Sequence, residues 1–151
     1  MRRLAIGAGV TIGIVTYSAY FAKIYEAAAC GKLARPADGL SRLAEAARLI
    51  EVADERYHEA ELHRLQGDLL YTTDDPAAAE QSFHRALAVA RRQNAKTFEL
   101  RAAMSLARLW RDQGNVRQAR ELLAPVYGWF TEGFDTRDLK EAKALLEELA
   151  A

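Results

Sequence analysis

Cysteine, proline and excess charge of either sign are all scarce in this chain. Cys30 is the single cysteine of 151 residues, so no internal disulfide can form and nothing indicates an oxidising compartment. With only three prolines and little strand-like alternation, nearly all of the chain is expected to be helical. Acidic and basic residues are equal in number, which argues against non-specific nucleic-acid binding, because that function needs a strong basic excess.

The residues that would perform catalysis are also missing from the sequence. No G-x-x-x-x-G-K-[ST] loop is present to hold a nucleotide phosphate. His58 and His63 are five residues apart, which on a helix places them about 140° from each other, whereas the zinc motif H-E-x-x-H needs a spacing of four. Cys30 has no histidine partner and is expected to be a buried structural thiol. We therefore expect no enzyme activity, no metal and no cofactor.

What the sequence does contain is a pattern that recurs every 40 residues. Small residues on one helix are followed by a larger one three positions later, then by a turn, and then by a second small–large–small series. Six positions agree across three units: Ala27, Gly67 and Ala107; Cys30, Leu70 and Trp110; Ala34, Asp74 and Gly114; Gly39, Ala79 and Ala119; Leu43, Phe83 and Leu123; and Ala46, Ala86 and Val126. The small residues predict close crossing of paired helices.

This pattern resembles the tetratricopeptide repeat, although the usual unit has about 34 residues. The chain departs from the family at Gln66, where an apolar residue is preferred, and at Gly39, which replaces an alanine. The resemblance implies an all-α, right-handed α-solenoid of three helical hairpins with a C-terminal capping helix, in one domain over 1–151. The repeats are expected at about 14–53, 56–94 and 97–131, and the capping helix at about 136–150.

A narrower resemblance concerns the strings AELHRLQGDLL (60–70), RAAMSLARLWRDQG (101–114) and the segment 119–149. They are similar to the C-terminal tetratricopeptide region of bacterial signalling proteins that also carry a class III adenylate or guanylate cyclase domain and an ATPase domain. This implies a sensing or interaction module of a bacterial signalling system, and it carries over no catalysis. The chain would be a stand-alone relative or a fragment of such a protein.

The N-terminal stretch 1–22 has alternative interpretations. Arg2 and Arg3 are followed by an uncharged run from Leu4 to Ala22, which is typical of a signal peptide or a short membrane anchor. The favoured interpretation is a soluble first helix, from near Gly9–Gly13 to about Cys30, in a cytoplasmic protein.

The remaining helices are expected at about 36–52, 56–72, 76–93, 97–112, from 116 to 130 and 137–149. Asp75 is expected to cap the helix at 76, and Gly114 to adopt a left-handed conformation. Pro125 predicts a kink near 121–125. The aromatic cluster Tyr127, Trp129, Phe130 and Phe134 is expected to pack the end of the core, and the last helix to show water a polar face of Lys140, Glu141, Lys143, Glu147 and Glu148.

The first helix of each hairpin is expected to line a concave groove that binds a partner. The spacing of Arg101, Arg108 and Arg111 places them on one face, and with Arg64 they would form a basic wall suited to carboxylates. The full predicted binding set is Arg64, Asp68, Tyr71, Arg101, Met104, Arg108 and Arg111, with Glu61 beside it and Phe21, Ile24 and Ala28 in the first repeat. The expected partner is a protein or acidic peptide, with neither nucleic acid nor membrane involved.

Two alternatives to a partner-binding groove remain open. The arginines are also typical of a solvated helix face that is partly neutralised by Glu61, Asp68 and Asp112. The apolar run 4–22 favours a structural or self-association module, in which the first repeat pairs with a second copy or with a missing upstream repeat.

Overall fold

The structure, a computed structural model, describes residues 19–54 and 56–151 and confirms an all-α protein. Within these residues there are seven helices and no strand. The helices are α1 (19–32), α2 (Pro36–Ala53), α3 (Glu59–Thr72), α4 (Pro76–Arg92), α5 (Lys96–Asp112), α6 (Val116–Gly128) and α7 (Arg137–Glu148). The earlier part of the predicted first helix, and the signal-peptide and anchor alternatives for 1–22, lie largely outside the described residues. In the described ranges, no helix combines the length and apolar character that a bilayer crossing requires.

A left-handed residue ends five successive helices at intervals of 20 residues. These residues are Ala34, Asp54, Asp74, Asn94 and Gly114, with φ between 52° and 84°. After four of these turns the next backbone N–H donates to the carbonyl five residues back, at 2.7–3.2 Å, from Arg35, Asp75, Ala95 and Asn115. This is the Schellman closure, which satisfies carbonyls that a helix end leaves free. The predicted left-handed Gly114 is confirmed, and the same turn follows α1, α3, α4 and α5.

The starts of the helices follow the predicted chemistry in part. Pro36 and Pro76 occupy first helical positions, where no N–H is needed. The Asp75 carboxylate accepts from the Ala78 N–H at 3.1 Å, so the predicted cap is confirmed. Thr136 precedes α7, but its hydroxyl donates to the Gly133 carbonyl and caps no helical N–H.

Small residues allow the helices to approach closely, as the repeat pattern predicted. A Cβ on Gly67 would lie 2.4 Å from Phe83 Cε1, and one on Gly39 would lie 2.8 Å from Leu69 Cδ1. Ala79, Ala107 and Ala119 are completely buried. The absent side chains are therefore what lets Phe83 and Leu69 fill the space between helices.

The hydrophobic core is divided into two main clusters that meet at α3. The first joins α1 and α2 to Leu62, Leu65 and Leu69 of α3. The second is built from α4–α7, with Leu70 of α3 packed against it. Successive helices from α2 to α7 pack on one another, and α3 also contacts α5, which in turn contacts α7.

Several predicted details of the fold were wrong. Helix α3 begins at Glu59, three residues later than expected, and α6 contains Pro125 but ends at Gly128, before Phe130. Cys30 is only half-buried. Within the C-terminal aromatic cluster, Tyr127 and Phe130 pack on the core as predicted, but Trp129 and Phe134 are exposed.

Candidate functional site

Two adjoining basins occupy the surface that α1, α3 and α5 form together. The first, which we call the charged basin, has a volume of about 880 Å³ and extends to the start of α7. The second, the aromatic basin, has a volume of about 680 Å³ and lies near the starts of α3 and α5. Both are lined by Glu61, Leu65 and Arg101, together with Tyr25 and Ala28 of α1. The two basins therefore share a wall, and we refer to them together as the groove.

Five of the seven predicted binding residues line the charged basin, namely Arg64, Asp68, Arg101, Met104 and Arg108. Tyr71 and Arg111 lie outside both basins. The Tyr71 hydroxyl donates to Asp112 Oδ2 at 2.9 Å, and this bond raises the pKa of Tyr71.

The first repeat contributes its three predicted residues unequally. Ala28 lines both basins, whereas Phe21 and Ile24 line the aromatic basin alone. Ile24 is 4% exposed and belongs to the core, because the face that it shares with Tyr20 and Ala27 packs against α2 and α3.

Arg64 lines the charged basin and is held mainly by carboxylates of its own helix. Its guanidinium donates to both carboxylate oxygens of Glu61, at 2.7 and 2.8 Å, and to Asp68, and it contacts the Ser105 hydroxyl at 3.4 Å. Burial lowers the pKa of Arg64, but the bonds and charges of Glu61 and Asp68 outweigh it and raise the pKa above its ordinary value. Arg64 is thus a fixed structural cation with little freedom to move.

The arginines of α5 are paired with carboxylates of the last helix. Arg101 Nε is 2.7 Å from Asp138 Oδ2, and Arg108 Nη2 is 3.1 Å from Glu141 Oε2. Just beyond the basin, Arg111 Nη1 is 2.7 Å from Glu148 Oε2. The prediction that the polar face of α7 is turned to water is therefore wrong in part. Two residues of that face, Glu141 and Glu148, bind arginines of α5.

Sequence reasoning considered only carboxylates of α3 and α5 as neutralising partners and missed those of α7. A signal was available in the 40-residue register. Continued past the third repeat, this register aligns Arg101 with Glu61 and Glu141, which lie 40 residues before and after it. It aligns Arg108 with Asp68 and Glu148 in the same way. Acidic, basic and acidic helices thus alternate in the sequence itself.

The groove retains an excess of cations despite these pairs. The described side chains that line the two basins include six cations, Lys32, Arg64, Lys96, Arg101, Arg108 and Arg137, and four carboxylates, Glu61, Asp68, Asp138 and Glu141. Lys32 has no ion pair with any described residue. The local charge is therefore positive in a chain whose formal net charge is zero.

The aromatic basin has a wall of rings in contact with one another. The Tyr57 and Phe98 ring centroids are 5.5 Å apart at an interplanar angle of 68°, and His58 lies 4.8 Å from Tyr57. Arg101 Cζ lies 6.0 Å from the Phe98 ring centroid, at the boundary with the charged basin. Desolvation lowers the pKa of His58, so this imidazole is neutral near neutral pH.

The described residues contain no group of three or more side chains arranged to hold a metal ion. His58 lies before the first residue of α3 and His63 lies inside that helix. The side chains that line the groove offer charged and aromatic surface to a ligand.

Comparisons of the chain with protein-family models, with curated protein sequences and with solved structures find no match.

Proposed function

We propose that this chain is a protein-interaction module that binds an acidic peptide segment of a partner protein in the groove. Its architecture would be a tetratricopeptide-like, right-handed solenoid of three hairpins and a capping helix. Its setting would be a bacterial signalling or regulatory system, in keeping with the resemblance of its sequence. No catalytic role is part of the proposal.

The repeated turns and crossings support the solenoid. Left-handed residues recur every 20 positions from Ala34 to Gly114, and small residues lie where helices cross. Contacts of α3 with α5 and of α5 with α7 are those expected when equivalent helices of successive hairpins stack side by side.

The observation that carries the proposal is the cationic excess of a groove built by α1, α3 and α5 together with the start of α7. A carboxylate that enters would meet Lys32, which has no ion pair among the described residues, and two α5 arginines whose side chains are 37% and 40% exposed. These arginines, Arg101 and Arg108, form forks that bind carboxylates well, and each can exchange an internal carboxylate for one from the ligand.

A charge-removal experiment tests the proposal. Arg101→Gln and Arg108→Gln would be combined in one variant, and the matched control would combine Arg92→Gln and Arg117→Gln, two exposed and ion-paired arginines away from the groove. Arg64 is left unchanged because Glu61 and Asp68 would lose their shared partner.

Both variants would be compared with the wild type in pull-downs from lysate of the source cell, after circular dichroism has established that they are folded. We expect the groove variant to lose a partner that the wild type and the control retain, and to lose binding of a fluorescent oligo-glutamate peptide. Added salt should weaken the wild-type binding, since the contacts are ionic. Equal retention by both variants would contradict the proposal.

A second candidate function is self-association through the first hairpin. The exposed apolar side chains Leu33 and Val52, which are 66% and 82% exposed, favour it. Light scattering at two concentrations tests it, because a dimer would dissociate on dilution while a peptide-binding monomer would keep its mass.

A further inference from the structure

Two exposed tyrosines face the same cavity at the aromatic end of the groove. Tyr25 is 63% exposed and Tyr57 is 62% exposed, and both line the aromatic basin with the half-buried Phe98. The edge-to-face contact of Tyr57 with Phe98 holds this part of the wall in place. A ligand group would therefore meet a wall that loses little further freedom on binding.

The charges around the basin decide which ligand group it accepts. Aromatic walls hold either a cation or an apolar side chain. Lys96 and Arg101 line the basin, and of the described residues that line it Glu61 alone carries a carboxylate, which already accepts two bonds from Arg64. A quaternary ammonium would meet two cationic side chains, Lys96 paired with Glu99 and Arg101 paired with Asp138, and would find no free carboxylate in the lining. An apolar side chain meets neither obstacle.

We propose that the aromatic basin binds a large apolar side chain, of the phenylalanine or leucine kind, from the same acidic peptide whose carboxylates enter the charged basin. This inference rests on the proposed function. Arg101 lines both basins, so an acidic residue beside the apolar one would reach its guanidinium. The positive end of α5 favours the same acidic neighbour, because Ala95, the residue before that helix, supplies no side-chain cap.

Two synthetic peptides test the inference. Both carry glutamates around one central position, which is phenylalanine in one peptide and alanine in the other, and both carry a fluorophore for anisotropy. The protein variants combine Tyr25→Ala with Tyr57→Ala. The control variant is Phe134→Ala, an aromatic residue that is 47% exposed and lies outside both basins. Removing exposed rings leaves the two main core clusters intact, which circular dichroism would verify.

The phenylalanine peptide should bind the wild type and the Phe134→Ala control about tenfold tighter than the alanine peptide does. In the double tyrosine variant the two peptides should bind equally. Equal binding of the two peptides by the wild type would overturn the aromatic basin and leave the acidic groove standing. The inference would also be overturned if the preference for phenylalanine persisted without the tyrosines.

Two further outcomes separate this inference from the proposed function. If the Arg101→Gln and Arg108→Gln variant binds the phenylalanine peptide as tightly as the wild type does, the acidic groove is wrong while the aromatic basin stands. If the wild type binds neither peptide, both are overturned. If the wild type self-associates and the tyrosine substitutions abolish this self-association, the aromatic basin binds a second copy of the chain, and the inference is overturned.

Discussion

The carboxylates of α7 should compete with any acidic ligand of the groove, and removing them should raise the affinity for that ligand. Asp138, Glu141 and Glu148 bind the guanidinium groups of Arg101, Arg108 and Arg111 at 2.7, 3.1 and 2.7 Å. A peptide carboxylate that takes their place must first break these pairs. A triple variant that carries D138N, E141Q and E148Q keeps the size of the three side chains and removes their charge.

The size of the effect follows from the exposure of the pairs. Their side chains are between 23% and 58% exposed, so solvent screens each interaction strongly. Pairs of this kind contribute about 0.2–1 kcal/mol each, and three of them together about 1–2 kcal/mol. A ligand in the charged basin replaces only the pairs of Arg101 and Arg108, worth about 0.4–2 kcal/mol together, so the affinity for an acidic peptide should rise roughly 2- to 30-fold in the triple variant.

The same variant should be slightly less stable, because the lost pairs also join α7 to α5. A loss of about 1–2 kcal/mol corresponds to a melting temperature that is lower by about 2–8 °C in a domain of this size. Higher affinity together with lower stability is the distinguishing result, since a substitution that merely damaged the fold would lower both.

Fluorescence anisotropy with an oligo-glutamate peptide measures the affinity, and thermal unfolding followed by circular dichroism measures the stability. The control is the triple variant E121Q, E132Q and E147Q, which changes the net charge by the same amount at exposed positions that line neither basin. An equal gain in affinity in both triple variants would refute the competition, because the gain would then come from overall charge alone.

Two further predictions concern the core and the acid stability. Gly67→Ala should lower the free energy of unfolding in urea by about 1–3 kcal/mol, because the new Cβ would lie 2.4 Å from Phe83 Cε1. Adding Phe83→Leu to the same chain should recover part of this stability. If the losses of the two substitutions simply added up, the clash with Phe83 would not be the reason. Burial raises the pKa of Glu99, but hydrogen bonds from Lys96 and Arg91 outweigh it and lower the pKa below 4.5. The stabilisation by the Glu99 carboxylate is therefore present above the unfolded-state pKa and is lost as the pH falls through the lower folded-state pKa. The Glu99→Gln variant should be less stable than the wild type near neutral pH, and its stability should fall less on acidification. Parallel profiles of stability against pH for the wild type and the variant would exclude this role.

Most of the helical framework was predictable because it depends on local chemistry. Proline at a first helical position, the Asp75 cap and the left-handed Gly114 are all decided within one turn of chain. The 40-residue register likewise identified Gly67 and Phe83 as a crossing point, because a missing side chain and a large one must be matched wherever helices pack closely.

The charge state of the groove was harder to predict because it depends on residues far apart in sequence. Arg101 and Asp138 are separated by 37 residues, and nothing local to either one indicates the other. The aromatic basin was missed for the same reason, since Tyr25, Tyr57 and Phe98 come from three separate parts of the chain. The sequence did predict part of its lining. The predicted groove residues that line the aromatic basin are Phe21, Ile24, Ala28, Glu61 and Arg101.

The division of the core at α3 leads us to expect that the α1 side and the α5 side of the groove open independently of each other. Tyr25 belongs to α1, whose cluster with α2 and part of α3 is separate from the larger cluster of α4–α7 that supports Arg101 and Arg108. Clusters of this kind often open as separate cooperative units in hydrogen exchange. A peptide that engages both basins would therefore slow the opening of the first hairpin, and ligand binding would be registered as protection of backbone amides in α1 and α2.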